Sequence, residues 1–156
     1  MSNPYQASVQ QKLAHGRLML DLLQRNGLER QAREALLQGA VLHLAIAYRQ
    51  FLRELASYFQ YSNPEQIHDL GQLESVSLAA GVVSELRALG WLSDLIAADS
   101  QLLAPLPPAK GVEKALIASD LRRENGNNTL SPSQVQAWCN SLTGLIDRQR
   151  AAFEES

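Results

Sequence analysis

The sequence predicts an all-α protein, built as an antiparallel bundle of four long helices with one or two short helices added. Apolar side chains recur at three- and four-residue steps over long stretches. No stretch shows the strict alternation of a half-buried strand, and one helix-start pattern occurs three times. At 156 residues we expect a single domain, 1–156, that contains an irregular connection at 104–130.

The helix-start pattern occurs in the stretches SNPYQ, SNPEQ and SPSQ. Asn3, Asn63 and Ser131 are the predicted N-caps, because a short side-chain oxygen accepts hydrogen bonds from the free amides of a first turn. The proline that follows suits the first helical position, and the glutamine completes a capping box. Since the residues after SNPYQ and SNPEQ do not match, the pattern indicates helix starts rather than an internal repeat.

The apolar spacing places five helices along the chain. Their predicted ranges are 4–25, 28–61, 64–73, 78–103 and 131–155. The second is apolar on most sides in its middle, which predicts a central position in the bundle. Gly81 and Gly90 fall inside the fourth range, where glycine costs about 1 kcal/mol relative to alanine, so we expect close backbone packing there. Segment 112–120 is helical or extended, with the helix favoured.

Charge, cysteine content and hydropathy argue against several classes of protein. The net charge of -2 creates no overall field that attracts nucleic acid or an anionic membrane. Neither a signal peptide nor an apolar run long enough to span a bilayer is recognised, so we expect a cytoplasmic protein without membrane insertion. The single cysteine, Cys139, has no partner for a disulfide and is predicted to be a small buried residue.

The sequence carries no complete catalytic, metal or cofactor signature. Glu65 and His68 have the Glu-x-x-His spacing of di-iron bundles, but the chain has three histidines and no second copy of the motif. It contains no GxSxG motif, phosphate-binding glycine loop or dinucleotide fingerprint. We therefore expect no metal, no cofactor and no catalytic residue, and a non-enzymatic protein is favoured over an enzyme.

One polar line crosses the predicted second helix. His43, Gln50 and Glu54 fall on nearly the same side of a helical wheel, within an otherwise apolar segment. Such a line is a candidate ligand site or proton-transfer site, although a hydrogen-bonded core histidine or one edge of a solvent-facing strip explains it as well. The neighbouring Arg49 and Arg53 are expected to be solvated or paired with carboxylates.

Two arginine groups are candidate phosphate contacts. Arg25, Arg30 and Arg33 surround the turn between the first two helices, and Arg122 and Arg123 precede the turn signal NGNN. Glutamates follow both groups closely, which favours ordinary solvated surface over nucleic-acid binding.

Three aromatic residues cluster at the end of the second helix. Tyr58, Phe59 and Tyr61 are candidates for an apolar contact with a partner, because aromatic side chains are enriched in interface cores. The alternative is that they form a cap beneath the short third helix.

The stretches LLQGAVLHLAIAYRQFLREL, ALGWLSDLIAA and LIDRQRAAFEE resemble a family of short all-helical proteins from Pseudomonas and related gammaproteobacteria, known as a domain of unknown function. The resemblance implies a helical fold and a bacterial cytoplasmic setting, and it transfers no functional residue. We therefore expect a non-enzymatic bundle that mediates protein–protein interaction or self-association. The alternatives are a nucleic-acid accessory protein that uses the arginines, and a small-ligand binder or enzyme around His43.

Overall fold

The computed structural model describes residues 3–105 and 130–155, and all regular structure in these ranges is helical. The helices are α1 (Gln6–Leu23), α2 (Arg30–Tyr58), α3 (Leu70–Glu74), α4 (Ala80–Arg87), α5 (Gly90–Leu103) and α6 (Pro132–Glu154), with 3₁₀ turns at Pro64–Gln66 and Ser77–Ala79. The predicted all-α class is confirmed. Segment 112–120 and most of the predicted connection 104–130 lie outside the described residues. Within the described ranges, no helix has both the length and the hydropathy needed to cross a bilayer.

Ser131 is the N-cap that the sequence predicted, whereas the N-cap of α1 is Tyr5 and not Asn3, which lies two residues before it. Ser131 Oγ accepts a hydrogen bond from the Gln134 amide at 3.1 Å and caps α6. Asn3 Oδ1 accepts a hydrogen bond from the Tyr5 amide at 3.1 Å, just before the first turn of α1. Polar side chains therefore satisfy amides where the sequence placed the caps.

The third predicted helix is divided in two. Asn63 precedes only the 3₁₀ turn Pro64–Gln66, and its side chain makes no capping hydrogen bond, so this predicted cap is wrong. The cap of α3 is Asp69, whose Oδ1 accepts a hydrogen bond from the Gln72 amide at 2.8 Å. The structure therefore starts the α-helix six residues later than the proline signal indicated.

Helix α2 ends at Tyr58 through a left-handed residue rather than continuing to 61. Gln60 has a φ of 60°, its amide donates to the Ser57 carbonyl, and the Tyr61 amide donates to the Ala56 carbonyl, each at 3.0 Å. These are the two hydrogen bonds of a Schellman motif. Glycine usually occupies the left-handed position, so the glutamine gave no sequence signal for this end.

The predicted long helix 78–103 is broken into α4 and α5. Leu89 has extended backbone angles, φ -84° and ψ 103°, and Gly90 begins the new helix. A Cβ placed at Gly81 or Gly90 would meet no atom within 4 Å, so the predicted close packing at these glycines is wrong. After the break α5 packs against α2.

The close helix contact lies instead between α1 and α2. A Cβ at Gly16 would lie 3.0 Å from Leu44 Cδ2, so the missing side chain lets the two helices approach. Arg33 Nη1 donates to the Leu23 carbonyl at 3.2 Å near the turn, and Asn3 Nδ2 donates to the Glu54 carbonyl at 2.9 Å near the other end, so α1 and α2 run antiparallel.

Helix α6 runs in the same direction as α2. Pro132 and Arg33, near the start of each helix, line one concavity, and Arg150 bonds Glu54 near their ends. The shared core contains buried residues from most elements, among them Val9, Leu13, Leu44, Phe51, Leu52, Leu86, Leu95, Leu142 and Ile146. Helix α2 therefore lies centrally, as its apolar pattern predicted.

Candidate functional site

Glu54 and Arg150 form a fully bonded ion pair, here called the closed pair. Glu54 is 0% exposed, and its two oxygens accept from Arg150 Nε at 2.9 Å and Nη2 at 2.8 Å. The Glu54 backbone carbonyl also accepts a hydrogen bond from Asn3 Nδ2 at 2.9 Å. Burial, followed by the charge of Glu54 and a hydrogen bond to it, raises the pKa of Tyr58. These bonds join the start of α1 to the ends of α2 and α6.

His43 is a half-buried imidazole beside a second histidine. Its ring centroid lies 5.1 Å from that of His15 in an edge-to-face arrangement. Its Nδ1 is buried and has no hydrogen-bond partner among the described residues. Burial, then the charges of Lys12 and His15, lower the pKa of His43, so these surroundings favour the neutral ring.

The predicted ligand residues of α2 share a face without sharing a contact. Gln50 Oε1 accepts a hydrogen bond from Arg53 Nη1 at 3.2 Å, whereas Glu54 belongs to the closed pair. Along the helix axis His43 and Glu54 are about 16 Å apart, since each residue adds about 1.5 Å. The structure does not bring the three side chains together, and a ligand site at them stays a prediction.

The predicted partner-binding residues pack against the last helix. Tyr58 stacks on Phe153 with centroids 4.5 Å apart, and Phe59 meets the same ring edge-on at 5.2 Å. Tyr61 is half-buried beside the same core. We call these four residues, Tyr58, Phe59, Tyr61 and Phe153, the aromatic end.

The predicted phosphate-binding arginines are only partly brought together. Arg25 and Arg33 line a concavity of about 530 Å³ at the turn between α1 and α2, and Arg33 also donates to a backbone carbonyl of α1. Arg30 is exposed and does not line that concavity. Arg122 and Arg123 lie outside the described residues.

Cys139 is 0% exposed, which confirms the prediction of a buried side chain, and burial raises the pKa of its thiol.

The histidine of the Glu-x-x-His spacing contacts an arginine, since His68 Nδ1 lies 2.8 Å from Arg53 Nη2. Among residues 3–105 and 130–155, no three or more histidine, cysteine, aspartate or glutamate side chains are grouped closely enough to hold a metal ion.

A groove that the sequence did not predict lies between α2, α3, α4 and α5. Its volume is about 660 Å³, within the range of ligand pockets. Six of its lining residues, four apolar and two polar, are Leu70, Leu86, Leu92, Ile96, Tyr48 and Arg49.

A second buried carboxylate holds Arg49 at the wall of this groove. Asp99 is 1% exposed, and its Oδ2 accepts a hydrogen bond from Arg49 Nη2 at 2.5 Å. Its Oδ1 is buried and has no hydrogen-bond partner among the residues described. We call Arg49 and Asp99 the open pair. Of the two expectations for Arg49, solvation or a carboxylate partner, the structure shows the second. The signal for that partner was that Asp99 continues the buried stripe of Leu92 and Leu95.

Tyr48 and Arg87 are two further polar groups of the groove. Burial, then the charge of Asp69, raises the pKa of Tyr48 to about 12, against the opposing effect of Arg49, so the hydroxyl stays protonated near neutral pH. At the rim, Arg87 donates to both oxygens of Glu74, at 3.0 and 2.7 Å. This hydrogen bonding and the charge of Arg87 lower the pKa of Glu74.

Comparison with known proteins gives a family without a known activity. No curated protein and no solved structure is similar enough to this chain to count as a match. A model of a family of unknown function, DUF6586, matches residues 1–156. The chain, with its helical bundle and its groove beside α5, therefore belongs to the DUF6586 family.

Proposed function

We propose that this protein is a non-enzymatic bundle of the bacterial cytoplasm that acts by contacting another protein or a second copy of itself. The observation that carries the proposal is the aromatic end. Tyr58, Phe59 and Tyr61 are half-buried, so each residue is still partly exposed. Aromatic side chains are the residue class most enriched in the cores of protein interfaces.

The rings are also held in place before any partner arrives. The stacked and edge-on contacts with Phe153 tie the end of α2 to the end of α6, and the closed pair lies one turn away. A rigid apolar surface loses little conformational entropy on binding, which favours affinity. The Schellman end of α2 then turns Tyr61 away from the helix axis.

Site-specific photocrosslinking in the native host tests this proposal. A benzophenone amino acid replaces Tyr61 in one variant and Gln10, an exposed residue of α1, in the matched control. We expect a discrete adduct from position 61 that is absent from position 10. An adduct of twice the chain mass identifies self-association, and any other discrete mass identifies a heterologous partner.

Two results contradict the proposal. One is that position 61 gives no discrete adduct in a variant whose circular dichroism shows a native helix content. The other is that positions 61 and 10 give the same adducts, since contact with a partner would then not depend on the aromatic end.

A further inference from the structure

The open pair is incomplete as a structural element. A carboxylate 1% exposed loses nearly all of its hydration, and folded proteins normally offset this loss by bonding both oxygens. Asp99 has a partner for Oδ2 and none for Oδ1 among the described residues. Its single strong bond fixes the position of the Arg49 guanidinium.

Arg49 has hydrogen-bond donors left over. A guanidinium carries five N–H donors in a planar fork, and the only bond that Arg49 makes to the residues described is the one to Asp99. Its side chain is 31% exposed and lines the groove. Arginine donors arranged in this way match the two oxygens of an acid group.

The rest of the groove fits an apolar body. Leu70, Leu86, Leu92 and Ile96 contribute hydrocarbon surface, and the hydroxyls of Ser93 and Ser100 lie on the α5 side. We propose that the groove binds a small amphiphilic carboxylic acid, with its apolar chain on these side chains and its carboxylate on Arg49.

The charges around the groove favour a monoanion over a phosphate dianion. Asp99 already neutralises Arg49, and Glu74 neutralises Arg87 at the rim. Asp69 also lines the groove and repels further negative charge. A singly charged carboxylate gains the Arg49 donors with the least repulsion, whereas a phosphate ester brings an additional charge close to Asp69 and Asp99.

Titration of the whole protein with three probes that share one alkyl chain tests the proposal: octanoate, 1-octanol and octyl phosphate. Amide chemical shifts of α5 report binding, because Ser93, Ile96 and Ser100 line the groove. We expect octanoate to bind about tenfold or more tightly than 1-octanol, since one charge-assisted hydrogen bond or more is gained. We expect octyl phosphate to bind more weakly than octanoate.

A double variant, Arg49→Gln with Asp99→Asn, removes both charges together and leaves no buried ion without a partner. It should reduce octanoate affinity to that of 1-octanol and leave 1-octanol binding unchanged. The matched control is Arg148→Gln, an exposed arginine of α6 with 65% side-chain exposure, which should change neither affinity.

The wild-type protein alone decides the proposal if the double variant does not fold. Absence of saturable shifts in α5 with octanoate overturns it, and so does equal affinity for octanoate and 1-octanol. Tighter binding of octyl phosphate than of octanoate overturns the carboxylate assignment. Undiminished octanoate binding by a folded double variant shows that Arg49 does not receive the acid.

Discussion

The two ion pairs on α2 differ in how completely they are bonded. In the closed pair both oxygens of Glu54 accept hydrogen bonds, and the Arg150 side chain is only 12% exposed. In the open pair one oxygen of Asp99 is bonded, and the Arg49 side chain is 31% exposed. Both carboxylates are almost completely buried. Burial alone therefore does not distinguish an ion pair that stabilises the fold from one that positions an arginine for binding.

The difference is that the arginine of the open pair keeps unused N–H donors on a partly exposed side chain. Removing one member of a buried pair is costly because it leaves a charge without compensation. In the closed pair that charge is fully buried, whereas the Arg49 side chain is 31% exposed at the wall of the groove. We therefore expect the closed pair to act on stability and the open pair to act on binding.

The largest effect should come from Arg150→Met. The substitution leaves the fully buried Glu54 carboxylate unpaired, so we expect the free energy of unfolding to fall by about 3–5 kcal/mol. Urea denaturation followed by circular dichroism measures it. Arg148→Met on the same helix is the control, with an expected change under about 0.5 kcal/mol, because its nearest carboxylate is 3.9 Å away and exposed. A loss below about 1 kcal/mol for Arg150→Met contradicts the structural role of the closed pair.

The loss of stability at alkaline pH reports on the tyrosine beside each ion pair, Tyr48 at the open pair and Tyr58 at the closed pair. The pKa of Tyr48 is raised from 10.0 to about 12, so its contribution is fully present below pH 10 and is lost as pH rises toward 12. Tyr48→Phe should reduce that loss by about 2–3 kcal/mol in unfolding experiments over this range. Tyr58→Phe should act in the same direction at the closed pair, because the pKa of Tyr58 is also raised. An unchanged pH slope in Tyr48→Phe would falsify the burial of this hydroxyl.

A smaller effect is expected from Asp99→Asn. The neutral amide keeps the shape of the side chain and can still accept a hydrogen bond from Arg49, so we expect a loss of about 1 kcal/mol. Glu54→Gln, the equivalent change in the closed pair, should cost at least about twice as much. The amide has one acceptor oxygen, so one Arg150 hydrogen bond is weakened and the other is lost. Equal losses of unfolding free energy in the two variants would show that the two pairs contribute equally to stability.

The smallest changes in stability are expected from two glycine-to-alanine substitutions in helices. Gly144 lies on the exposed side of α6, and a Cβ there would meet no atom within 4 Å. Gly144→Ala should stabilise the protein by about 0.5–1 kcal/mol through helix propensity alone. Gly16→Ala should have the opposite sign, because its Cβ would lie 3.0 Å from Leu44 Cδ2. Thermal unfolding of both variants checks the signs.

The sequence was sufficient for the long helices because their signals are local. Apolar spacing and the Ser131 cap located α1, α2 and α6 to within a few residues. The same spacing placed Cys139 in the core. For Arg49 the sequence left solvation and a carboxylate partner both open.

The groove required information that periodicity does not contain. It exists because the chain breaks at Leu89 and α5 packs on α2, whereas the spacing of 78–103 also fits one continuous helix. A helical wheel shows which residues share a face and not which partners that face meets. His43 and Glu54 therefore satisfied the pattern yet contact different helices, and the pattern did not single out Asp99.

The closed pair also has a consequence for the rates of folding and unfolding. Its hydrogen bonds join residues 96 positions apart, and the Asn3 bond to Glu54 spans 51 positions. Contacts between such distant residues require loop closure, which follows local helix formation. We expect the pair to be absent from the folding transition state, so that its loss mainly accelerates unfolding. We therefore expect the end of the bundle that carries the aromatic rings to unfold faster when Arg150 is replaced.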